Sequence, residues 1–241
     1  MSIKQYIPNS ITSMNLLCGV VSVILSLTSV ATGKDLLGAE NLYLYPALLI
    51  FLGAVFDFFD GFAARMLHVS SDIGKELDSL ADLCTFGFAP AGMYILYLSQ
   101  NYADLGLVVY FPIVLVVFSA LRLAKFNVDT RQTESFIGLT TTATAMFTAS
   151  LFLALSTNDM LADVKLGVWA IAIMVAIFSY LLVSEIPMFS LKVKSFGWKG
   201  NELRVALLAV ALISLAVLGV GGIAFTILLY VLFSLIKMVI K

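Results

Sequence analysis

Eight long apolar stretches follow one another along this chain, and that pattern constrains it to fold in lipid. About 20 helical residues cross the hydrocarbon core of a bilayer. The stretches fall at Asn9–Ala31, Leu42–Arg65, Lys75–Leu98, Gly106–Phe126, Gly138–Ser156, Val164–Ser184, Glu202–Leu218 and Ile223–Met238. Their apolar residues run on continuously rather than alternating, so helices are expected and a β-barrel is not. Composition agrees: 61% of residues are hydrophobic and 12% charged. Mean hydropathy is +1.04, outside the range of an ordinary globular domain. The expected fold class is all-α, a polytopic membrane bundle of about eight transmembrane helices. Gly219-Val220-Gly221-Gly222 separates the last two as either a tight turn or an interruption.

Charge gives the bundle a direction. With both termini in the cytoplasm, one side receives Lys4, Arg65, Lys75, Arg122, Lys125, Arg131, Lys192, Lys194, Lys199, Arg204, Lys237 and Lys241. The other side receives only Lys34 and Lys165, a 12 to 2 division of the 14 basic residues. That is a strong positive-inside signal. No cleavable signal peptide is expected, because the first apolar run is too long for one. Cys18 and Cys84 both fall in membrane helices, so no disulfide is expected. A net charge of −1 gives no reason to expect a nucleic-acid partner. No internal repeat is visible, which weakens the case for an inverted-repeat transporter.

One region breaks the apolar rule. Asp57-Phe58-Phe59-Asp60-Gly61-Phe62-Ala63-Ala64-Arg65 is followed by Gly74, Asp78 and Asp82. Carboxylates at membrane depth are costly and ask for a compensating cation. Asp57 and Asp60 are three apart, Asp78 and Asp82 four apart, so each pair shares a helix face. Two such helices joined by a turn would gather four carboxylates around hard divalent cations, which prefer oxygen ligands. Structural ion pairing with Arg65 and Lys75 is the plain alternative, but two cations cannot neutralise four aspartates. A cation-transport site is another. Open backbone at Gly61 and Gly74, and the planar donor fork of Arg65, fit a pyrophosphate ligand better than a bare ion path.

The pattern Asp57-x2-Asp60-Gly61-x2-Ala64-Arg65-x8-Gly74-x3-Asp78-x3-Asp82 resembles the signature of the CDP-alcohol phosphotransferases at all eight fixed positions. The resemblance implies an integral membrane enzyme that moves a phosphatidyl or similar group from a CDP-linked lipid to an alcohol, releasing CMP. It implies Mg²⁺ or Mn²⁺ held by Asp57, Asp60, Asp78 and Asp82. Asp78 and Asp82 would be the catalytic carboxylates, with Asp82 also the general base. Gly61, Ala64, Arg65 and Gly74 would line the cytidine and diphosphate site with Asp57. A homodimer in a prokaryotic inner membrane, its site facing the cytoplasm, is the expected setting.

Flanking segments resemble the serine-using members of that family, so CDP-diacylglycerol and L-serine are the expected substrates. Ile7-Pro8-Asn9-Ser10-Ile11-Thr12, with Asn15 and Gly19, enters the first helix. There Pro8 can start the helix, and Asn9 and Thr12 can meet the CDP-lipid head group, though Asn9 is equally readable as a helix cap. Thr85-Phe86-Gly87-Phe88-Ala89-Pro90-Ala91 would lie beside the nucleotide, where Pro90 frees a carbonyl and kinks the third helix. Leu121-Arg122-Leu123-Ala124-Lys125-Phe126-Asn127-Val128 and Phe136-Ile137-Gly138-Leu139 complete the set. Arg122 and Asn127 are expected at the serine carboxylate; snorkelling to the interface is the other explanation of Arg122. Lys125 stands where arginine is usual and Thr140 where proline is common. Ser184–Lys192 shares the likeness without an evident role. His68 is expected in a solvated loop. The likeness divides the chain into a family core at 1–192 and a C-terminal helix pair at 193–241.

Overall fold

The computed structural model describes residues 3–129, 131, 136–158, 161, 164–189 and 201–240. Its helices are α1 (Ile3–Thr32), α2 (Leu44–Met66), α3 (Asp72–Leu83), α4 (Ala89–Asn101), α5 (Val114–Val128), α6 (Thr141–Thr157), α7 (Val168–Val183), α8 (Glu202–Leu218) and α9 (Gly221–Ile240). A π-turn at Cys84–Phe88 joins α3 to α4 as one rod, and a 3-10 segment at Ala103–Ile113 leads into α5. The described chain therefore makes eight rods. Five are long and apolar enough to span a membrane, and Thr141–Thr157, Val168–Val183 and Leu203–Leu218 are shorter apolar helices.

Element ends follow local chemistry. Ser71 caps α3 by accepting from the Gly74 amide at 3.0 Å, with Asp72 in the first turn to complement the helix dipole. Thr140 does the same for α6 through Ala143 N at 3.2 Å, which gives this departure from the usual proline a cap function. Pro90 has no N–H to bond back one turn. The helix widens there, and the Ala89 N–H reaches the Cys84 carbonyl instead. The expected disruption is thus a π-turn just ahead of the proline. Pro8 lies inside α1 rather than at its start, so Asn9 is a helix-interior residue and not a cap. Gly219, at φ 57°, closes a tight turn between α8 and α9.

Packing, not water exclusion, holds such a bundle together, so small residues and close contacts decide where helices meet. A Cβ on Gly19 would fall 2.6 Å from Thr85 N, and one on Gly53 2.5 Å from Thr85 Cγ2. These glycines let α1, α2 and the π-turn converge. Every residue of α4 from Ala89 to Leu98 is buried, making it the central helix. Its Tyr94 and Tyr97 pack on Phe152 of α6 with ring centroids 5.0 and 5.1 Å apart. α9 closes on α8, where a Cβ at Gly222 would meet the Ser214 backbone at 2.4 Å. It also lies along α6 and ties down Phe189, whose amide donates to Ser234 Oγ at 3.1 Å.

The two ends of the bundle differ. One gathers the start of α1, the α2–α3 turn and the end of α5, with Lys4, Arg65, Lys75, Arg122, Lys125 and Arg131. The opposite end carries Lys34 and Lys165 in its loops. Lys192, Lys194, Lys199, Lys241, the last residues of Ser184–Lys192 and the division at 192/193 lie outside the described residues.

Candidate active site

The basic end holds the aspartates. Asp57 and Asp60 occupy the last turns of α2, while Asp78 projects from α3 across the short turn through His68 and Ser71. Carboxylate oxygens of Asp57, Asp60 and Asp78 lie within 4.8 Å of one another. Asp60 is only 6% exposed, and its Oδ2 is buried without a hydrogen-bond partner. Among the described residues no lysine or arginine forms an ion pair with any of these aspartates. The Lys75 ammonium instead donates to the Asn127 carbonyl at 3.0 Å. Local ion pairing is thereby overturned. A set of hard oxygen donors with a buried, unsatisfied member and no cationic side chain is the donor chemistry a divalent cation takes.

Asp82, one turn beyond Asp78, falls outside that closest set. Its Oδ1 accepts from Asn15 Nδ2 at 3.2 Å. Asn15 is fully buried in α1, and its own carbonyl accepts from Thr85 Oγ1 at 2.9 Å. The asparagine therefore orients Asp82 from a position fixed by the glycine-lined junction. Sequence reasoning grouped Asn15 with Asn9 and Thr12 but gave it no role. Its signal was the three-residue spacing, which puts all three on one face of α1.

Beside the triad opens a pocket of about 250 Å³, walled by Asn9, Thr12, Gly61, Ala64 and Gly74 with Asp60 and Asp78. Thr12 is buried and donates to Pro8 O at 3.0 Å. Gly74 fits closely: a Cβ there would lie 2.9 Å from Ser71 Oγ and 3.0 Å from Asn9 Oδ1, so both side chains would have to shift. Arg65 is exposed at the rim, its Nη1 3.4 Å from where a Cβ on Gly61 would stand. Gln5 Nε2 ties the start of α1 to Ser70 O at 3.2 Å across the pocket mouth. His68 is exposed in the turn, as expected, at φ 52°.

Arg122 stands on α5, which packs on α3, and interacts electrostatically with Asp82. It is 6% exposed, so the snorkelling explanation does not hold. Its Nε donates to Leu139 O at 3.3 Å, and its guanidinium carbon lies 4.8 Å from the Phe126 ring centroid and 6.0 Å from that of Phe136. Such a cage fixes the guanidinium plane. Asn127, by contrast, turns its amide to Ser79 Oγ at 2.8 Å.

Ser184–Lys192, whose purpose was not evident in the sequence, holds this arm through its described part. Ile137 and Pro187 form an antiparallel bridge, flanked by Gly138 N to Ile186 O and Met188 N to Phe136 O, both 2.9 Å. Glu185 meets Lys125 and Arg131 at the surface. The lysine hydrogen bond is the main reason its carboxyl is held below the usual range.

The family model for CDP-alcohol phosphatidyltransferases matches residues 5–234. The chain belongs to that family. It is 36% identical over 135 residues to a CDP-diacylglycerol–serine O-phosphatidyltransferase of Bacillus subtilis (strain 168), covering 56% of this chain and 68% of that one. One of the same name from Mycobacterium leprae (strain TN) is 32% identical over 214 residues, 86% of this chain and 65% of the other. For one from Helicobacter pylori (strain ATCC 700392 / 26695) the figures are 30% over 141 residues, 58% and 54%. The matches thus span about half to two thirds of these relatives' length. The eight signature positions lie within the span of the family match.

Proposed function

We propose that this family member transfers the phosphatidyl group of CDP-diacylglycerol to L-serine, yielding phosphatidylserine and CMP. The observation that supports this reading is that two features suited to binding stand on packed neighbouring helices, α3 and α5, on either hand of Asp82's charge. One is the aspartate triad with its pocket; the other is a buried arginine with a fixed plane. The names of the relatives support the choice of serine.

Asp57, Asp60 and Asp78 would hold Mg²⁺ or Mn²⁺, with Asp82 next to them. A divalent cation there would offset the diphosphate charge and polarise phosphorus. Asn9, Thr12, Gly61, Ala64 and Gly74 would receive the cytidine diphosphate, with Arg65 reaching its phosphate oxygens from the rim. Arg122 would take the serine carboxylate in a two-point bond, orienting the hydroxyl toward phosphorus. Asp82 would accept the hydroxyl proton as the new O–P bond forms, and the bond from phosphorus to the CMP oxygen breaks. Asn15 would keep the Asp82 carboxylate aimed during that step.

In this reading the acyl chains stay in the bilayer and the site faces the cytoplasm of a prokaryotic inner membrane, where the basic end of the bundle belongs. A homodimer is proposed from family resemblance alone. The test is CMP release by purified protein given CDP-diacylglycerol, Mg²⁺ or Mn²⁺, and serine, glycerol 3-phosphate or inositol phosphate in turn. Release dependent on serine is expected. Release with another acceptor alone would discard the serine assignment.

A further inference from the structure

α3 carries Asp78 and Asp82, yet among its residues only Ala81 is buried. Apolar packing therefore does little to set its distance from α5, the helix that carries Arg122. Polar contacts take that place. Lys75 Nζ donates to the backbone carbonyl of Asn127 at 3.0 Å, and the Asn127 side-chain amide donates to Ser79 Oγ at 2.8 Å. Ser79 in turn donates to the Lys75 carbonyl at 3.2 Å, so its hydroxyl is fixed both as donor and as acceptor. One helical turn of α3 thus grips a single residue near the end of α5 by both its backbone and its side chain.

We infer that this grip sets the spacing between the aspartates and Arg122, which makes Ser79 and Asn127 positioning residues for the acceptor alcohol. The inference rests on the proposed transferase reading. It gives Asn127 work through α3 rather than at the serine carboxylate. The junction of α1 with α3 is held separately, by Asn15 and Thr85 and by the fit of Gly74 against Asn9. Loosening the grip should therefore disturb the acceptor side and spare the CDP-lipid side.

The experiment compares Ser79→Val with Ser79→Thr, two side chains of one shape of which only threonine keeps the hydroxyl, together with Asn127→Ala and the Ser79→Val/Asn127→Ala double variant. KM for the acceptor and for CDP-diacylglycerol is measured by CMP release, using whichever acceptor the wild type accepts. Loss of one hydrogen bond predicts an acceptor KM about fivefold higher in Ser79→Val and in Asn127→Ala. CDP-lipid KM should be unchanged, Ser79→Thr near wild type, and the double variant no worse than either single. Wild-type turnover with an unchanged acceptor KM in Ser79→Val overturns the inference alone. So does a parallel rise of both KM values, or multiplication of the two effects in the double variant. A folded wild type that releases no CMP with any acceptor overturns the transferase reading and this inference with it.

Discussion

Gly138→Ala should be among the most damaging single-methyl additions in this chain. Gly138 has φ +74°, and an alanine Cβ there would lie 2.9 Å from Leu182 O and 3.0 Å from both Leu181 O and Ser184 O. The left-handed backbone costs about 1–2 kcal/mol for a residue with a Cβ. Relief of three carbonyl contacts must move the strand-like pairing that holds Gly138 N on Ile186 O and Leu139 N on Leu181 O, each 2.9 Å. Losing both bonds costs about 1 kcal/mol apiece, for a total near 3–4 kcal/mol. At this chain length that corresponds to an apparent Tm lower by about 10 °C. Gly33 provides the control, because it has φ +67° with nothing within 4 Å of an added Cβ. Gly33→Ala should pay the backbone term alone and lose about 4 °C. Thermal unfolding in one detergent, with Gly33→Ala alongside, measures the difference. Since Leu139 O is the partner of Arg122, acceptor KM should also rise in Gly138→Ala while CDP-lipid KM holds. A Tm loss no larger than that of Gly33→Ala would refute the reasoning.

Chelation by EDTA should abolish CMP release, and Mn²⁺ should raise the Tm of wild type but not of Asp60→Asn; an equal Tm rise in both would remove Asp60 from the metal set. Asn15→Ala removes a hydrogen bond to a carboxylate worth about 1.5–3 kcal/mol, so kcat should fall about ten- to a hundredfold with CDP-lipid affinity retained. Steady-state turnover and CDP-lipid binding separate those two effects. Glu185 has a folded-state pKa below its ordinary value, so its ion pairs stabilise the arm above the unfolded-state pKa and are lost as pH falls through the folded-state one. The Tm gap between wild type and Glu185→Gln should therefore close on acidification. The gap itself should be small, because the Lys125 and Glu185 side chains are 38% and 57% exposed.

The eight rods and the aspartate grouping were legible because both are local. Apolar run length announces a membrane helix, and three- and four-residue spacings announce a shared face. The environment of Arg122 was not legible. Phe126, four residues along α5, is the local wall of its cage, but the second wall and the carbonyl partner come from Phe136 and Leu139 in a loop, and the pairing that shapes the loop comes from Leu181–Met188, some fifty residues on. No periodicity records such a meeting. The same is true of Asn127, whose partner Ser79 is 48 residues away. Pro8 suggests a boundary in the sequence, yet α1 begins at Ile3, because a proline so near a helix start interrupts few hydrogen bonds. Pro90 did announce a disturbance in the third rod, but its form depended on how the turn before it could re-bond.

That π-turn constrains how this region can change length. A wide turn holds one residue more than an α-turn, so the sequence patterns before it and after it differ in register by one residue. Losing one residue from the turn itself would restore ordinary winding and leave the two halves nearly in phase. Deleting a residue from the α-helix between the turn and Met93 would instead rotate everything beyond it by about 100° relative to the aspartates. Tyr94 and Met93, both fully buried, would swing away from their partners, or Asp78 and Asp82 would leave the pocket. Single-residue insertions and deletions should therefore be excluded from the α-helical parts of this rod and tolerated best at the turn. The five residues of the turn act as a phase adjuster, matching a polar face on one half of the rod to a fully packed core on the other.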